Sequence, residues 1–88
     1  MNDEAAILQR LRNHDIKAFK ILCIESYETL EDFAFSLVND ANLSREIVSD
    51  VLGWLWAKEA FSNASLPILE FLNGEVRKEC ERRVTHEG

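Results

Sequence analysis

The spacing of apolar residues is the feature that most constrains this chain. Along the whole sequence, apolar residues recur three and four positions apart, and a strict alternation of apolar and polar residues never persists. The first spacing places apolar side chains on one face of an α-helix, whereas a half-buried strand needs the second. The sequence therefore predicts an all-α protein.

Polar breaks divide this pattern into helices joined by short connections. The predicted helices are Asp3 to Arg12, Ile16 to Val38, about Ser44 to Ala60, and a fourth that ends near Val84. Ser65 is the predicted N-cap of the fourth helix, and Pro67 is tolerable in its first turn because the first helical N–H groups have no partner within the helix. The architecture predicted from these segments is a small bundle of four helices.

Each predicted helix carries an apolar stripe that we expect to face the core. In the first helix the predicted stripe is Ala6, Ile7 and Leu11. In the second helix it is Ile16, Phe19, Cys23, Tyr27, Leu30, Ala34 and Leu37. In the third helix the predicted stripe is Ile47, Val48, Val51 and Leu55, and in the fourth it is Ile68, Leu72, Val76 and Cys80.

Length and composition set the scale of the molecule. With 88 residues, 47% of them apolar, the chain has room for one small domain, which we place at residues 1–84. Residues 85–88 are expected to be the start of a linker or a disordered tail. No apolar run is long enough to span a membrane and the N-terminus does not resemble a signal peptide, so we expect a cytoplasmic protein without membrane contact. A net charge of −6 argues against broad, nonspecific attraction to nucleic acid.

The third helix carries a glycine between two tryptophans on its predicted outer side. On a helical wheel Gly53 lies opposite the core stripe, and Trp54 and Trp56 flank it. Glu46 and Asp50 stand one turn apart on the same side. A small residue, aromatic walls and two carboxylates would form an acidic groove suited to a partner helix with basic side chains. Alternatively, the tryptophans cover the edge of the bundle and the glycine is only tolerated.

The fourth helix presents an aromatic residue followed by cations. Phe71, Lys78 and Arg82 fall on one predicted outward line, beside Arg77. Exposed rings and cations suit single-stranded nucleic acid, because bases stack on the rings and phosphates pair with the cations. The alternative is a solvated helix face with ion pairs three or four residues apart, such as Glu75 with Lys78 and Glu79 with Arg83, and the spacing alone favours this alternative.

Catalytic and metal-binding patterns are weak in this sequence. Cys23 and Cys80 are far apart and lie in helical patterns, so we interpret both as buried thiols. A zinc site that combines them with His14 and His86 is a remote alternative. The sequence has no glycine-rich loop, metal-ligand spacing or nucleophile motif, so we expect neither enzymatic activity nor a cofactor.

Ordered motifs along the chain carry a family resemblance. An Asp-x-x-Ala-Phe motif is present at Asp15, Ala18 and Phe19, and a block similar to Glu-Ile-Val-Gln-Asp-Val-Phe-x-x-Leu-Trp spans Glu46 to Trp56. Further matched positions are Tyr27, Leu30, Phe33, Ala34, Asp40, Phe71, Leu72, Val76, Arg77 and Cys80. In this order the chain resembles region 2, the N-terminal domain, of the extracytoplasmic-function sigma factors of bacterial RNA polymerase.

The resemblance implies two binding surfaces. Docking on the clamp helices of the largest polymerase subunit would use Glu46, Ser49, Asp50, Gly53, Trp54 and Trp56. Recognition and melting of the upstream promoter element, with capture of a flipped base of the non-template strand, would use Asn63, Ser65, Phe71, Arg77, Lys78 and Arg82. An anti-sigma factor is a further partner that the family implies.

Departures from the family pattern leave a second function open. Lys78 replaces an asparagine of the family, and the fourth helix has little net positive charge. The chain could instead be a sigma-like protein-interaction module with little DNA binding, such as a decoy for an anti-sigma factor or a degenerate paralogue. Because the family adds a helix-turn-helix domain after region 2, we also expect the natural chain to continue beyond Gly88.

Overall fold

The structure is a computed structural model in which residues 3–87 are described, with side chains as far as Val84. Its helices are α1 (Glu4–Arg12), α2 (Ile16–Val38), α3 (Ala41–Ala57) and α4 (Ile68–Glu87), and a short 3-10 helix, Ala60–Asn63, follows α3. Within residues 3–87 there is no strand, so the predicted all-α bundle of four helices is confirmed. The central helix is α2, which packs against α1, α3 and α4.

Aspartates fix where the first three helices begin. The carboxylates of Asp3, Asp15 and Asp40 accept hydrogen bonds from backbone N–H groups in the first turns of α1, α2 and α3. Each therefore satisfies a donor that has no partner inside its helix. Because Asp40 is the cap, α3 starts at Ala41 and the predicted start at Ser44 is wrong. Ser44 is buried, and its hydroxyl donates to the Asp40 carbonyl at 2.7 Å.

The fourth helix begins differently from the prediction, which places Ser65 as its N-cap. The N–H of Phe71 donates to the carbonyl of Pro67, so the helix starts after the proline. The N–H of Ile68 donates to the Glu4 carboxylate of α1 at 2.7 Å. A neighbouring helix therefore supplies the cap that is expected of Ser65. The helix also continues to Glu87, past the predicted end at Val84 and into the segment expected to be a linker, while Gly88 lies outside the described residues.

The predicted core faces of α3 and α4 are confirmed, whereas those of α1 and α2 need correction. On α2 the buried residues are Ala18, Leu22, Ser26, Leu30 and Ala34. The predicted stripe follows larger residues, yet Ile16 is 46% exposed and Leu37 is 42% exposed. Of the predicted stripe, Leu30 and Ala34 are buried, and the rest of the inner face is formed by Ala18, Leu22 and Ser26. On α1, Leu8 and Leu11 are buried and Ala6 is exposed.

The 3-10 helix closes one part of the core. Phe61 is among the largest fully buried side chains. Arg12 of α1 binds this helix and the residue that follows it. Its Nε donates to the carbonyl of Phe61 at 3.2 Å, and its Nη2 donates to the carbonyl of Ala64 at 2.9 Å. The connection before α4 is thus tied to the first helix of the chain.

Candidate partner-binding groove between α3 and α4

A groove of about 640 Å³ lies between α3 and α4. Its lining residues, which define the α3–α4 groove, are Asp50, Val51, Trp54, Glu75, Lys78, Glu79, Arg82 and Arg83. The groove brings together residues that the sequence assigns to separate surfaces, because Asp50 and Trp54 are expected to contact polymerase, and Lys78 and Arg82 to contact DNA. In the fold these side chains line one cleft.

The outer face of α3 is open, as predicted from its glycine. A Cβ atom built on Gly53 would have no neighbour within 4 Å apart from the helix's own backbone, so this position faces free space. Trp54 beside it is 51% exposed. Glu46, Ser49 and Asp50 are also exposed on this helix. The surface predicted around Gly53 therefore exists, with one aromatic wall.

The second predicted aromatic wall is absent, because Trp56 is covered. Its indole is half-buried and stacks on the His14 imidazole, with ring centroids 3.8 Å apart and an angle of 8° between planes. Phe19 of α2 stacks on the same indole at 4.6 Å. The turn between α1 and α2 carries His14 over this site, which sequence spacing could not reveal. Trp56 thus packs inside the bundle edge instead of facing a partner.

Arg83 joins α4 to the acidic face of α3. Its Nη1 donates to Glu46 and its Nη2 to Asp50, both at 2.6 Å. Its Nε donates to Glu79, one turn earlier on α4, also at 2.6 Å. Hydrogen bonds to these carboxylates, Glu79 first, raise the pKa of Arg83, so the guanidinium stays charged. The four-residue spacing between Glu79 and Arg83 predicts their ion pair. The ion pairs of Arg83 with Glu46 and Asp50 join different helices, and no pattern in the sequence predicts them.

Glu79 is the acid that holds two arginines on α4. Burial raises the pKa of this carboxyl group, but hydrogen bonds from Arg83 and Arg82 have the larger combined effect, and its pKa lies below the ordinary value. Arg82 donates to both carboxylate oxygens, through Nε to Oε1 at 3.0 Å and through Nη2 to Oε2 at 2.6 Å. This bidentate geometry is the strongest arrangement available to an arginine and a carboxylate.

Ser49 and its neighbour Tyr27 link α3 to α2. The Tyr27 hydroxyl lies 2.6 Å from the Ser49 hydroxyl and donates to the Arg45 carbonyl at 3.3 Å. Ser49 is exposed, but its oxygen already has a partner within the bundle. Its contribution to a docking surface is therefore smaller than that of Asp50 or Trp54.

The predicted DNA surface is only partly assembled. Phe71 is expected to be exposed, but it is half-buried and packs against the core, so its predicted exposure is wrong. The cations of the same helix have partners. The Arg77 guanidinium lies 5.5 Å from the centroid of the Phe33 ring. Lys78 forms an ion pair with Glu75 at 3.1 Å, and Arg82 forms one with Glu79 at 2.6 Å. Two of the residues predicted to bind DNA, Asn63 and Ser65, lie outside α4. Both are exposed, and neither lines the α3–α4 groove.

The cysteines lie inside the bundle to different extents. Cys80 is buried and Cys23 half-buried, and burial raises the pKa of both thiols. Across residues 3–84, whose side chains are described, no group of three or more histidine, cysteine or acidic residues is placed to hold a metal ion. His86, the remaining member of the alternative zinc site, has a side chain outside the described residues.

Comparisons of this chain with protein-family models, with curated proteins and with solved structures found no match. In the described part of the chain, no helix combines the length and the apolar character required to cross a membrane.

Proposed function

We propose that this chain is a cytoplasmic transcription domain of the sigma region 2 type, which docks a basic helix of the RNA polymerase clamp on the outer face of α3 and in the α3–α4 groove. One observation carries the proposal. Glu46 and Asp50 each hold one nitrogen of the Arg83 guanidinium at 2.6 Å, next to the open position at Gly53 and the exposed ring of Trp54. This face of α3 already binds an arginine of its own chain.

An incoming arginine would compete with Arg83 for the two carboxylates of α3. The competition is feasible because the side chains of Glu46 and Asp50 are 61% and 57% exposed. Exposed ion pairs contribute only about 0–1 kcal/mol each. Arg83 would also keep its bond to Glu79 after leaving α3, so its charge would not be stranded. Partner binding thus needs only a side-chain rearrangement.

Docking a helix here would combine close approach with apolar contact. Without a side chain at Gly53, the backbone of a partner helix can come nearer to α3 than at any bulkier residue. Trp54 offers a large apolar surface with an N–H donor, and tryptophan is among the residue types enriched at the energetic centre of protein interfaces. The acidic pair would then orient the partner through its basic residues.

A second function is favoured by the state of α4. The half-buried Phe71 and the paired cations Lys78 and Arg82 leave little of the surface that single-stranded DNA requires. These contacts favour a sigma-like protein-interaction module with little DNA binding, for which an anti-sigma factor is the natural alternative partner. Promoter melting remains part of the first proposal through the exposed Asn63 and Ser65 and through Arg77.

Binding of a recombinant clamp-helix fragment of a bacterial RNA polymerase tests the docking proposal. Gly53→Leu should lower the affinity at least about tenfold, because its side chain would fill the position left open for the partner, and a tenfold loss is about 1.4 kcal/mol. Helix content should not fall, since leucine is the better helix former. Isothermal titration calorimetry measures the affinity, and circular dichroism measures the helicity.

Gly74→Leu is the matched control for this experiment. Gly74 lies on α4, where an added Cβ atom would likewise have no neighbour within 4 Å, and it does not line the groove. Its replacement should leave the affinity for the clamp fragment unchanged. Equal affinities for wild type and Gly53→Leu would contradict docking on α3. A single-stranded promoter oligonucleotide separates the two functions, because only the first predicts binding with a sequence preference.

A further inference from the structure

An exposed isoleucine stands in the middle of α2. Ile24 is 81% exposed, the highest value among the large apolar side chains that are described. Ile21, one turn earlier, is 40% exposed. Neither side chain belongs to the core, because the inner face of α2 is formed by other residues, such as Leu22 and Ser26. An apolar side chain this exposed on a long helix marks a surface that could be covered by a partner.

Charged residues are arranged around Ile24 with opposite signs on its two sides. Lys17 and Lys20 precede it by seven and four residues, and Glu28 and Glu31 follow it by four and seven. At 100° per residue all four lie within about 40° of Ile24 around the helix axis. The strip is therefore basic towards the start of α2, apolar at its centre and acidic towards its end. We name these residues, with Ile21, the α2 strip.

We propose that the α2 strip is a self-association surface, and that its partner is a second copy of this chain in antiparallel orientation. A two-fold axis through Ile24 places this residue against its own copy. The same axis brings the basic half of each strip opposite the acidic half of the other, so that each lysine lies within one turn of a glutamate. Such an isologous contact closes on itself as a dimer. A parallel arrangement would instead place like charges together.

The charges of the strip are available for this contact. Among the described residues Lys17, Lys20 and Glu28 form no salt bridge, and only Glu31 has a cation nearby, the Arg45 Nε at 4.0 Å. One helix face with a small apolar centre falls at the low end of interface sizes. We therefore expect a weak dimer, which salt should weaken further by screening the exposed charges. The α2 strip shares no residue with the α3–α4 groove, so it can be tested independently of polymerase docking.

Paired charge reversal tests the proposal. The wild-type chain should show a sedimentation coefficient that rises with concentration from the monomer towards the dimer value. The variants Lys17→Glu/Lys20→Glu and Glu28→Lys/Glu31→Lys each carry one sign along the whole strip, so each should remain monomeric alone. An equimolar mixture of the two should associate, because the complementary charges are then on different chains. Ile24→Asp should abolish self-association of the otherwise unchanged chain.

Controls separate this surface from effects of net charge and folding. Glu59→Lys/Glu81→Lys changes the net charge as much as Glu28→Lys/Glu31→Lys does, at exposed positions outside α2, and should associate like the wild type. Circular dichroism confirms that each variant is folded. A wild-type chain that remains monomeric at every concentration, or a mixture that sediments no faster than its two components, would overturn the proposal.

Discussion

A single arginine links two helices in this protein. Arg83 contacts Glu46 and Asp50 on α3 and Glu79 on α4, so three carboxylates surround one guanidinium. The bond to Glu79 is the more sheltered, since the Glu79 side chain is only 15% exposed. Glu79 is therefore the carboxylate whose protonation should most weaken the contact between α3 and α4.

Glu79→Gln should make the protein less sensitive to acid. The pKa of Glu79 is lowered in the folded protein, so its contribution to stability is present above the ordinary value of 4.5 and is lost as the pH falls through the lowered pKa. The wild-type melting temperature should therefore fall more steeply below about pH 4.5 than that of the variant. At neutral pH the variant should melt lower, because it has lost the ion pairs with Arg82 and Arg83.

Thermal melts followed by circular dichroism across acidic pH measure this difference. Glu81→Gln is the control, since Glu81 is an exposed residue of the same helix and forms no ion pair within the described residues. Asp15, whose pKa is lowered chiefly by its hydrogen bond from Arg10, should leave some acid sensitivity in every variant. Identical pH profiles for wild type and Glu79→Gln would refute the assigned role of Glu79.

The turn between α1 and α2 fixes how these two helices end and begin. After α1 the N–H of His14 donates to the Leu11 carbonyl and the N–H of Asp15 to the Arg10 carbonyl, both at 3.0 Å, with His14 at φ 62°. This is the Schellman arrangement, in which a left-handed residue ends the helix. Asp15 then caps α2 directly. One short turn thus ends α1, starts α2 and places the His14 ring on Trp56.

Arg12→Ala should release the segment between α3 and α4. The arginine donates to the carbonyl groups of Phe61 and Ala64, and hydrogen bonds from a charged donor are worth about 1.5–3 kcal/mol. We expect a loss of about 2 kcal/mol in the free energy of unfolding, measured by urea denaturation. Arg12→Lys should restore only part of it, because an ammonium lacks the fork that reaches both carbonyls.

Arg10→Ala is the comparison for Arg12→Ala, since Arg10 lies on the same helix and pairs with Asp15 at the surface. Exposed pairs of this kind are worth about 0–1 kcal/mol, so its loss should be the smaller of the two. If both variants lost the same stability, the contacts of Arg12 with the 3-10 segment would have no special structural role.

One continuous hydrophobic core contacts all the described helices. Leu30 of α2, Leu55 of α3 and Leu72 of α4 each have no exposed surface, and they belong to the same buried cluster as Leu8 and Phe61. A domain of this length buries a modest core and has little stability in reserve. A cavity beside α2 should therefore lower the free energy of unfolding of the whole domain.

Leu30→Ala should lower the free energy of unfolding by about 2–5 kcal/mol, because it leaves a cavity at a fully buried site. Ile24→Ala removes a similar apolar group from the same helix, but at a site that is 81% exposed, and should change stability by less than about 0.5 kcal/mol. Urea denaturation monitored by circular dichroism at low protein concentration compares the two variants. A similar loss in both would contradict the assigned position of the core.

Much of the secondary structure could be predicted because its determinants are local. The predicted bounds of α2 are confirmed, since Asp15 caps its start and Asn39, at φ 58°, ends it. The predicted start of α3 and the predicted cap of α4 are wrong. The third helix starts earlier because Asp40 caps it, and the first N–H of α4 donates to Glu4, which lies 64 residues away in the chain. Local sequence patterns carry no information about such a distant partner.

Periodicity and capping act between residues three or four positions apart, so the sequence alone predicts the four helices, the inner faces of α3 and α4 and the outward position of Gly53. The packing of the helices against one another places Trp56 under His14, Phe71 against the core, and Arg83 within reach of Glu46 and Asp50. These contacts depend on how the helices cross and how their turns fold back. The distances that follow from helix crossings are absent from the linear pattern of any single helix.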